Sequence, residues 1–149
     1  MGPWLLDVNV LVAHFWPSHA QYPAARRWMD RHARSGWVTT PHTQAAFVRI
    51  TSNPSFSPQA VRPQEAIRLL EANLSHPRHV FWPDELGYGG ACASLKDHLT
   101  SHRQVMDAYL LGLVVHRGGR LATFDDGIVA LARAAGVKPN VVARIDSAS

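Results

Sequence analysis

Short apolar runs alternate along the chain with longer stretches in which apolar residues recur every three or four positions. Runs of the first kind predict buried strands, whereas the second spacing predicts helices with one apolar face. The predicted strands are Trp4–Val8, Trp37–Thr40, Val80–Trp82, Leu121–Thr123 and Val141–Ile145. Alternating strands and helices are typical of an α/β fold, in which helices cover both faces of a central, mostly parallel sheet of about five strands.

Helix boundaries are predicted from proline, glycine and capping residues. Thr43 is expected to cap the helix that follows the second strand. The longest helix is expected to begin at Ser101 or His102 and to end at Gly118 and Gly119. Glycines weaken the helix pattern in the region 87–98. The predicted helices cover residues 9–16, 23–35, 43–50, 66–74, 101–117 and 128–135.

The composition predicts one globular domain that spans residues 1–149. Hydrophobic residues make up 46% of the chain, which is enough to form one core. No apolar stretch approaches the ~20 residues that cross a bilayer, and the N-terminus shows no secretory signal. The single cysteine, Cys92, has no partner for an internal disulfide. These features predict a cytoplasmic protein without a membrane segment.

Three aspartates are expected at the carboxyl edge of the predicted sheet. Asp7 ends the first strand, Asp125 follows the fourth, and Asp107 lies early in the longest helix, from which its side chain can lean back towards the strand ends. Open α/β sheets bind their ligands at this edge. Clustered carboxylates raise one another's pKa unless a cation neutralises them, and their hard oxygens suit Mg²⁺ or Mn²⁺. The sequence therefore predicts a divalent metal site for phosphate chemistry.

The formal net charge of +4 changes this picture because it coexists with the acidic cluster. The rest of the surface must be distinctly basic, which favours a polyanionic partner such as nucleic acid or an acidic protein segment. Arg26, Arg27, Arg31 and Arg34 form one basic helix within that surface. A solvated arginine-rich surface without a partner has the same composition.

Four sequence blocks resemble the PIN-domain ribonucleases, and among them the VapC toxins of bacterial toxin–antitoxin pairs. The blocks are LDVNVL at 6–11, TQAAFVR at 43–49, DAYL at 107–110 and LATFD at 121–125. The segment Ser52-Asn53-Pro54 also resembles one branch of the VapC proteins. Together they extend over nearly the whole chain. The resemblance implies a PIN-like three-layer sandwich with helices on both faces of the sheet.

The resemblance also implies an Mg²⁺-dependent endoribonuclease, in which Mn²⁺ can substitute. Asp7, Asp107 and Asp125 match acids of the family's metal site, and Asn9 and Thr123 match its polar residues. A water molecule would attack the phosphorus, leaving a 5′-phosphate and a 3′-hydroxyl. The implied partners are RNA, a second copy of the chain in a homodimer and a VapB-like antitoxin whose acidic or aromatic tail enters the cleft.

Gln44 departs from the family pattern, because PIN domains often have glutamate at this position. A neutral amide can bind a metal or hydrogen-bond its water, but it supplies no negative charge. Weaker metal affinity, compensation by Asp126 or Asp84, and an altered chain are open interpretations. Gln44 also keeps open a non-catalytic RNA-binding PIN scaffold. A phosphatase of the haloacid dehalogenase class is disfavoured, since that chemistry requires a second aspartate where Asn9 stands.

Other polar residues have a structural interpretation beside a functional one. Asp126 is expected to cap the following helix rather than to assist the metal, and Asp84 is expected in a turn, as is Glu85. Arg49 is expected near the site, where it could contact a phosphate, an antitoxin carboxylate or a surface acid. His14 and His42 could line the cleft.

His98 and His102 have the spacing of two ligands on one helix face, but no third ligand accompanies them in the sequence. A surface pair is therefore expected rather than a zinc site. Cys92 is expected to be a small buried apolar residue rather than a nucleophile.

Overall fold

Five short parallel strands form the centre of the computed structural model, which describes residues 2–147. Their order across the sheet is β3-β2-β1-β4-β5, and every neighbouring pair is parallel. This arrangement confirms the predicted α/β class and makes the sheet fully parallel. The strands are β1 (Trp4–Leu6), β2 (Trp37–Thr39), β3 (His79–Phe81), β4 (Arg120–Thr123) and β5 (Val142–Arg144).

Helices connect consecutive strands. They are α1 (Val8–Phe15), α2 (Tyr22–His32), α3 (Pro41–Thr51), α4 (Pro63–Leu74), α5 (Tyr88–Ala91), α6 (Val105–Arg117) and α7 (Asp126–Ala134). Short 3₁₀ segments lie at Ala33–Ser35, Lys96–His98, His102–Gln104 and Pro139–Val141. Within residues 2–147, none of the helices has both the length and the apolar character that crossing a bilayer requires.

Two hydrophobic cores lie on the two faces of the sheet because successive strand residues point to opposite faces. Leu5 and Leu121 are fully buried against side chains of α5, α6 and α7. Leu6, Trp37 and Ala122 are buried on the other face against α1, α2, α3 and α4. Both faces of the central strands are thus covered, which explains why these strands read as continuous apolar runs.

Two predicted helix caps are wrong. Thr40, not Thr43, is the N-cap of α3: its hydroxyl accepts from the Thr43 backbone N–H, and the Thr43 hydroxyl accepts in return from the Thr40 N–H. This reciprocal pair leaves Thr43 three residues inside the helix. Asp125, not Asp126, caps α7 by accepting from the Gly127 N–H at 2.8 Å.

Other boundaries shift by a few residues. β1 ends at Leu6 because Asp7 caps α1 directly. The longest helix begins at Val105, preceded by a 3₁₀ turn, and ends at Gly118, whose φ of 64° closes the helix in a left-handed conformation that glycine adopts without strain. The region 87–98 contains only α5 and one 3₁₀ turn.

Candidate functional site

A cavity of about 220 Å³ opens at the carboxyl edge of the sheet. Asp7, Asp107 and Asp125 all contribute to its wall, together with Asn9. These side chains come from the junction of β1 and α1, the first turn of α6 and the start of α7. The structure therefore brings together four of the six residues that the sequence singles out for the site.

Asp7 is the most firmly held of the three acids. Its residue is 5% exposed, and its two carboxylate oxygens accept from the Val8 backbone N–H at 2.7 Å and from the Thr123 hydroxyl at 2.8 Å. The same Thr123 oxygen accepts from the Asp125 backbone N–H at 2.9 Å. Thr123 is the fifth of the six predicted site residues. It does not line the cavity, but its hydroxyl connects Asp7 to the backbone of Asp125.

The register of the sheet explains this contact. Leu6 lies opposite Ala122, and the Asp7 backbone N–H donates to the Ala122 carbonyl at 3.0 Å. The residues that come next, Asp7 after β1 and Thr123 at the end of β4, therefore lie side by side at the carboxyl edge. Asp7 accepts from the Thr123 hydroxyl because it follows β1 beside β4, and from the Val8 backbone N–H because it is the N-cap of α1.

Burial and neighbouring negative charge raise the pKa of Asp7 and of Asp107. Burial raises the pKa of Asp7, although the hydrogen bonds from Thr123 and Val8 lower it, and the charge of Asp125 adds to the rise. Burial raises the pKa of Asp107 to about 7, reinforced by the charges of Asp7 and Asp125. The cavity thus concentrates more negative charge than its own surroundings neutralise, which is the electrostatic condition that favours a bound cation.

The donor atoms fit a hard divalent cation in type and in charge. Carboxylate oxygens are the ligands that Mg²⁺ prefers, and Mg²⁺ commonly uses only one or two of them beside water. As placed in residues 2–147, no three His, Cys, Asp or Glu side chains are gathered closely enough to hold a metal ion by themselves. Asp7, Asp107 and Asp125 are the carboxylates of the wall that would hold such a cation, with water molecules completing its ligands.

α3 contributes one of its faces to the same cavity. His42, Ala46 and Arg49 lie on this face at helical spacing, with Ile50 beside them. Among the described residues that line the cavity, Arg49 is the one with a permanent positive charge. Burial lowers the pKa of His42, opposed by Asp84 and assisted by Arg49, so the imidazole is neutral at neutral pH.

Gln44 does not line this cavity. Its Nε2 donates to the Thr39 hydroxyl at 3.0 Å, and the same hydroxyl is hydrogen-bonded to His79 Nε2 at 2.7 Å. Two residues correspond to about 200° around a helix, so positions 42 and 44 face different directions. Gln44 therefore joins α3 to β2 and β3, and its neutral charge leaves the acidic cavity unchanged.

Asp126 and Asp84, the acids that could replace the charge of a glutamate at position 44, also lie outside the cavity wall. Asp126 forms an ion pair with the Nε of Arg144. Asp84 is exposed, and Glu85 pairs with Arg117 at 2.7 Å. Asp126 is therefore neutralised by Arg144, whereas Asp84 lies outside the wall but near enough for its charge to act on His42.

The histidines and the cysteine separate into different surroundings. His42 lines the cavity, whereas the expectation for His14 is wrong, because His14 lies in the last turn of α1 and lines a different cavity. His98 and His102 are exposed in separate 3₁₀ segments. Cys92 is buried in the core, as predicted.

Five lining residues were not predicted from the sequence to belong to the site: Val8, Ala46, Ile50, Met106 and Leu110. Ala46 and Ile50 share the helical spacing of His42 and Arg49, which was a usable signal. The sequence did not indicate which face of α3 turns towards the carboxyl edge. Met106 is 48% exposed beside Asp107 and carries no distinguishing pattern.

Comparison with known proteins agrees with this geometry. The model of the PIN domain family matches residues 4–135. The chain is 45% identical to Ribonuclease VapC39 of Mycobacterium tuberculosis over 121 residues, which is 81% of this chain and 87% of that protein. It is 41% identical to Ribonuclease VapC38 of the same organism over 129 residues, 87% of this chain and 89% of that protein. These similarities confirm the resemblance indicated by the sequence blocks.

Proposed function

The chain belongs to the PIN-domain family, and we propose that it is a divalent-metal-dependent endoribonuclease that acts as the toxin of a VapBC-type toxin–antitoxin pair. The observation that carries the proposal is the convergence of Asp7, Asp107 and Asp125 on one cavity that also contains Arg49. The names of the similar VapC ribonucleases support the substrate class.

We infer that the three aspartates hold Mg²⁺, with Mn²⁺ as a substitute. When bound, such a cation offsets the negative charge of the phosphate and lowers the pKa of a water molecule. The Thr123 hydroxyl positions Asp7 by donating to one of its oxygens at 2.8 Å. Thr123 is therefore a positioning residue, comparable to the hydrogen-bonding partners that orient ligands in metalloenzymes.

The remaining wall residues suit an RNA phosphate. The Arg49 guanidinium can donate two hydrogen bonds to phosphate oxygens, a pairing that arginine forms with high specificity. The Asn9 amide lies on the wall next to the aspartates, where it can hydrogen-bond to water or to the substrate. Neutral His42 adds one donor and one acceptor without changing the net charge.

The reaction is hydrolysis of a phosphodiester bond. The water oxygen bonds to phosphorus, the bond from phosphorus to the 3′ oxygen breaks, and a proton passes to that oxygen. The products are a 5′-phosphate and a 3′-hydroxyl. The sequence contains no nucleophile-elbow serine or cysteine, and Cys92 is enclosed in the core. A water nucleophile therefore fits these residues better than a covalent intermediate does.

The proposed partners follow from the family and from charge. A net charge of +4 beside an acidic cavity suits an RNA substrate and an acidic antitoxin tail. A VapB-like antitoxin, a homodimer and a cytoplasmic location remain predictions. The alternative of a non-catalytic RNA-binding scaffold depended on Gln44, whose amide lies away from the cavity wall.

The test compares RNA cleavage by the wild type, Asp7→Asn and Asp97→Asn. We expect the wild type and Asp97→Asn to cleave structured RNA with Mg²⁺ or Mn²⁺ and to stop in EDTA, because Asp97 is an exposed acid outside the wall. Asp7→Asn should lose the activity while it stays folded by circular dichroism. Equal cleavage by all three proteins, or cleavage in EDTA, would overturn the proposal.

A further inference from the structure

A second cavity, of about 490 Å³, opens at the amino edge of the sheet. It lies between the last turn of α1, α2, the end of α4 and the segment that leads into β3. Trp37, the first residue of β2, forms part of its wall. Its polar and aromatic lining residues include His14, Phe15, Arg26, Asp30, Trp37, His76 and Arg78.

This cavity is separate from the acidic one. The two share no described lining residue, and α1 runs between them. Asp7 caps the first turn of α1, whereas His14 lies in its last turn. Seven residues of helix correspond to roughly 10 Å. Whatever binds at the amino edge is therefore not in contact with the aspartates.

His14, which lines this cavity, has a buried polar atom without a hydrogen-bond partner among the residues that the structure describes. The residue is 8% exposed, and its Nδ1 is buried without a hydrogen-bond partner among residues 2–147. Buried polar side-chain atoms in folded proteins are paired in the large majority of cases, so an unpaired one calls for a partner such as a water molecule or a ligand atom. Burial lowers the pKa of His14 to about 4, so the ring is neutral and offers one donor and one acceptor.

Two arginines from different elements supply positive charge. Arg26 comes from α2 and Arg78 from the segment before β3, and both side chains are exposed at the cavity wall. Within the described part of the chain, neither guanidinium forms an ion pair. Because arginine pairs bidentately with phosphate, this placement suits one phosphate group held from two sides.

Aromatic rings form another part of the wall. The Trp37 ring centroid lies 5.3 Å from that of Phe15 and 6.2 Å from those of His14 and His76. Trp37 and His14 are buried, so the ring surface available to a ligand comes from Phe15 and His76, on which a nucleobase can pack through its π-face. Asp30 adds a carboxylate acceptor to the same wall. The cavity thus combines phosphate donors, flat apolar surface and acceptors for N–H or O–H groups.

We propose that this cavity binds one nucleotide unit, with the phosphate at Arg26 and Arg78 and the base against the rings near His14. Its volume lies in the usual range of about 300–1,000 Å³ for small-molecule pockets. An acidic peptide side chain would satisfy the arginines but would leave the aromatic rings of the wall unused. The proposal goes beyond the ribonuclease activity and requires no cleavage.

The test measures binding to the full chain in EDTA, where no cleavage is expected. The probes are AMP, UMP, inorganic phosphate and a single-stranded RNA hexamer. The variants are Arg26→Ala and Arg78→Ala, with Arg27→Ala as the matched control, because Arg27 is an exposed arginine on the same helix outside the cavity wall. We expect each cavity variant to weaken nucleotide binding about tenfold or more, the usual effect of losing a charge-assisted hydrogen bond. Arg27→Ala should change it by less than about twofold.

A second measurement is independent of any variant. The ¹⁵N shift of His14 Nδ1 in the wild type should move when AMP or UMP is added, and should move less with inorganic phosphate. Tight binding of the mononucleotides would identify a free nucleotide as the source. Binding of the hexamer that depends on Arg26 and Arg78, with only weak binding of mononucleotides, would identify a nucleotide of an RNA strand.

Four outcomes would overturn the proposal. They are no binding of any nucleotide probe at millimolar concentration, equal affinity for inorganic phosphate and mononucleotides, an equal loss in Arg27→Ala, and preferential binding of an acidic peptide. Because the measurement is made in EDTA, its failure leaves the cleavage proposal standing. Conversely, a chain that binds nucleotides here but cleaves no RNA would refute only the proposed function.

Discussion

The two cavities lie at opposite edges of one sheet and have opposite electrostatic character. At the carboxyl edge, burial raises the pKa of Asp107 to about 7, and neighbouring carboxylates add to the rise. At the amino edge, burial lowers the pKa of His14 to about 4; Arg26 and His76 add to this effect, and Asp30 opposes it. Burial favours the neutral form in both places. The neighbours decide whether the cavity attracts a cation or an anion.

The same helix connects the two environments. Asp7 caps the amino end of α1, and His14 lies in its last turn. The parallel sheet directs β1 and β4 to the carboxyl edge, where the aspartates meet, and leaves the other edge to the arginines of α2 and of the segment before β3. One fold thus separates an acidic cavity from a basic one by the length of a single short helix.

The largest expected effect concerns the acidic edge. Asp107→Asn should lower RNA cleavage by roughly hundredfold to thousandfold, the usual loss when a group that stabilises the reaction electrostatically is removed. In EDTA the same change should raise the free energy of unfolding by on the order of 1 kcal/mol, because it removes a partly buried charge and its repulsion from Asp7 and Asp125. Initial cleavage rates and urea denaturation provide the two measurements.

Asp97→Asn is the matched control, since Asp97 is an exposed acid in a 3₁₀ turn away from both cavities. It should leave the cleavage rate and the stability unchanged. If Asp107→Asn retained full activity, the acidic cavity would not be the reaction site.

The next effect concerns the basic edge. Burial keeps the folded-state pKa of His14 near 4, below the ordinary 6.5, so the unfolded chain takes up a proton first as the pH falls. The contribution of His14 to stability is therefore complete above about pH 6.5 and is lost progressively towards pH 4. The loss should reach at most about 3 kcal/mol. Urea denaturation at several pH values measures it.

A His14→Gln variant should remove this part of the pH dependence, and an NMR titration of the wild type should place the His14 pKa well below 6. A His14 that titrates near 6.5 would show that its ring is not isolated from water, contrary to its 8% exposure.

A smaller effect is expected at the Thr123 hydroxyl, which hydrogen-bonds to the Asp7 carboxylate and to the Asp125 backbone N–H. Thr123→Val removes the hydroxyl that donates to Asp7 and accepts from the Asp125 N–H. Mn²⁺ affinity should fall about tenfold, because Asp7 loses the partner that orients it. Thr123→Ser retains the hydroxyl and should restore the affinity. Isothermal titration calorimetry provides the measurement, and an unchanged affinity in Thr123→Val would contradict the positioning role.

The smallest effect on the acidic site is expected for Gln44. Because its amide contacts Thr39 rather than the cavity, Gln44→Ala should change Mn²⁺ affinity by less than about twofold and should lower stability by about 1 kcal/mol, the net contribution of one hydrogen bond. Gln44→Glu should not tighten Mn²⁺ binding. A tenfold change in affinity with either variant would place position 44 in the metal site after all.

Much of the fold could be predicted because local patterns and long-range packing agree. The apolar runs at Leu5-Leu6 and Leu121-Ala122 predict buried strands, and both are central strands of the sheet. The cap of α3 could not be assigned from residue type alone, since Thr40 and Thr43 are both good caps and both use their hydroxyls in the same capping box. Only the position of Pro41 at the first turn favoured Thr40.

By itself, the sequence determined the alternation of strands and helices, and therefore the gathering of Asp7 and Asp125 at one edge of a parallel sheet. Chain direction fixes which ends of parallel strands meet, and it follows from the alternation of strands with crossover helices. The order of the strands across the sheet came only from the tertiary structure. The tertiary structure decided which helix faces line each cavity. It turned Gln44 away from the acids, turned Arg49 towards them and placed His14 at the far edge, because packing against the core sets the rotation of a helix about its axis.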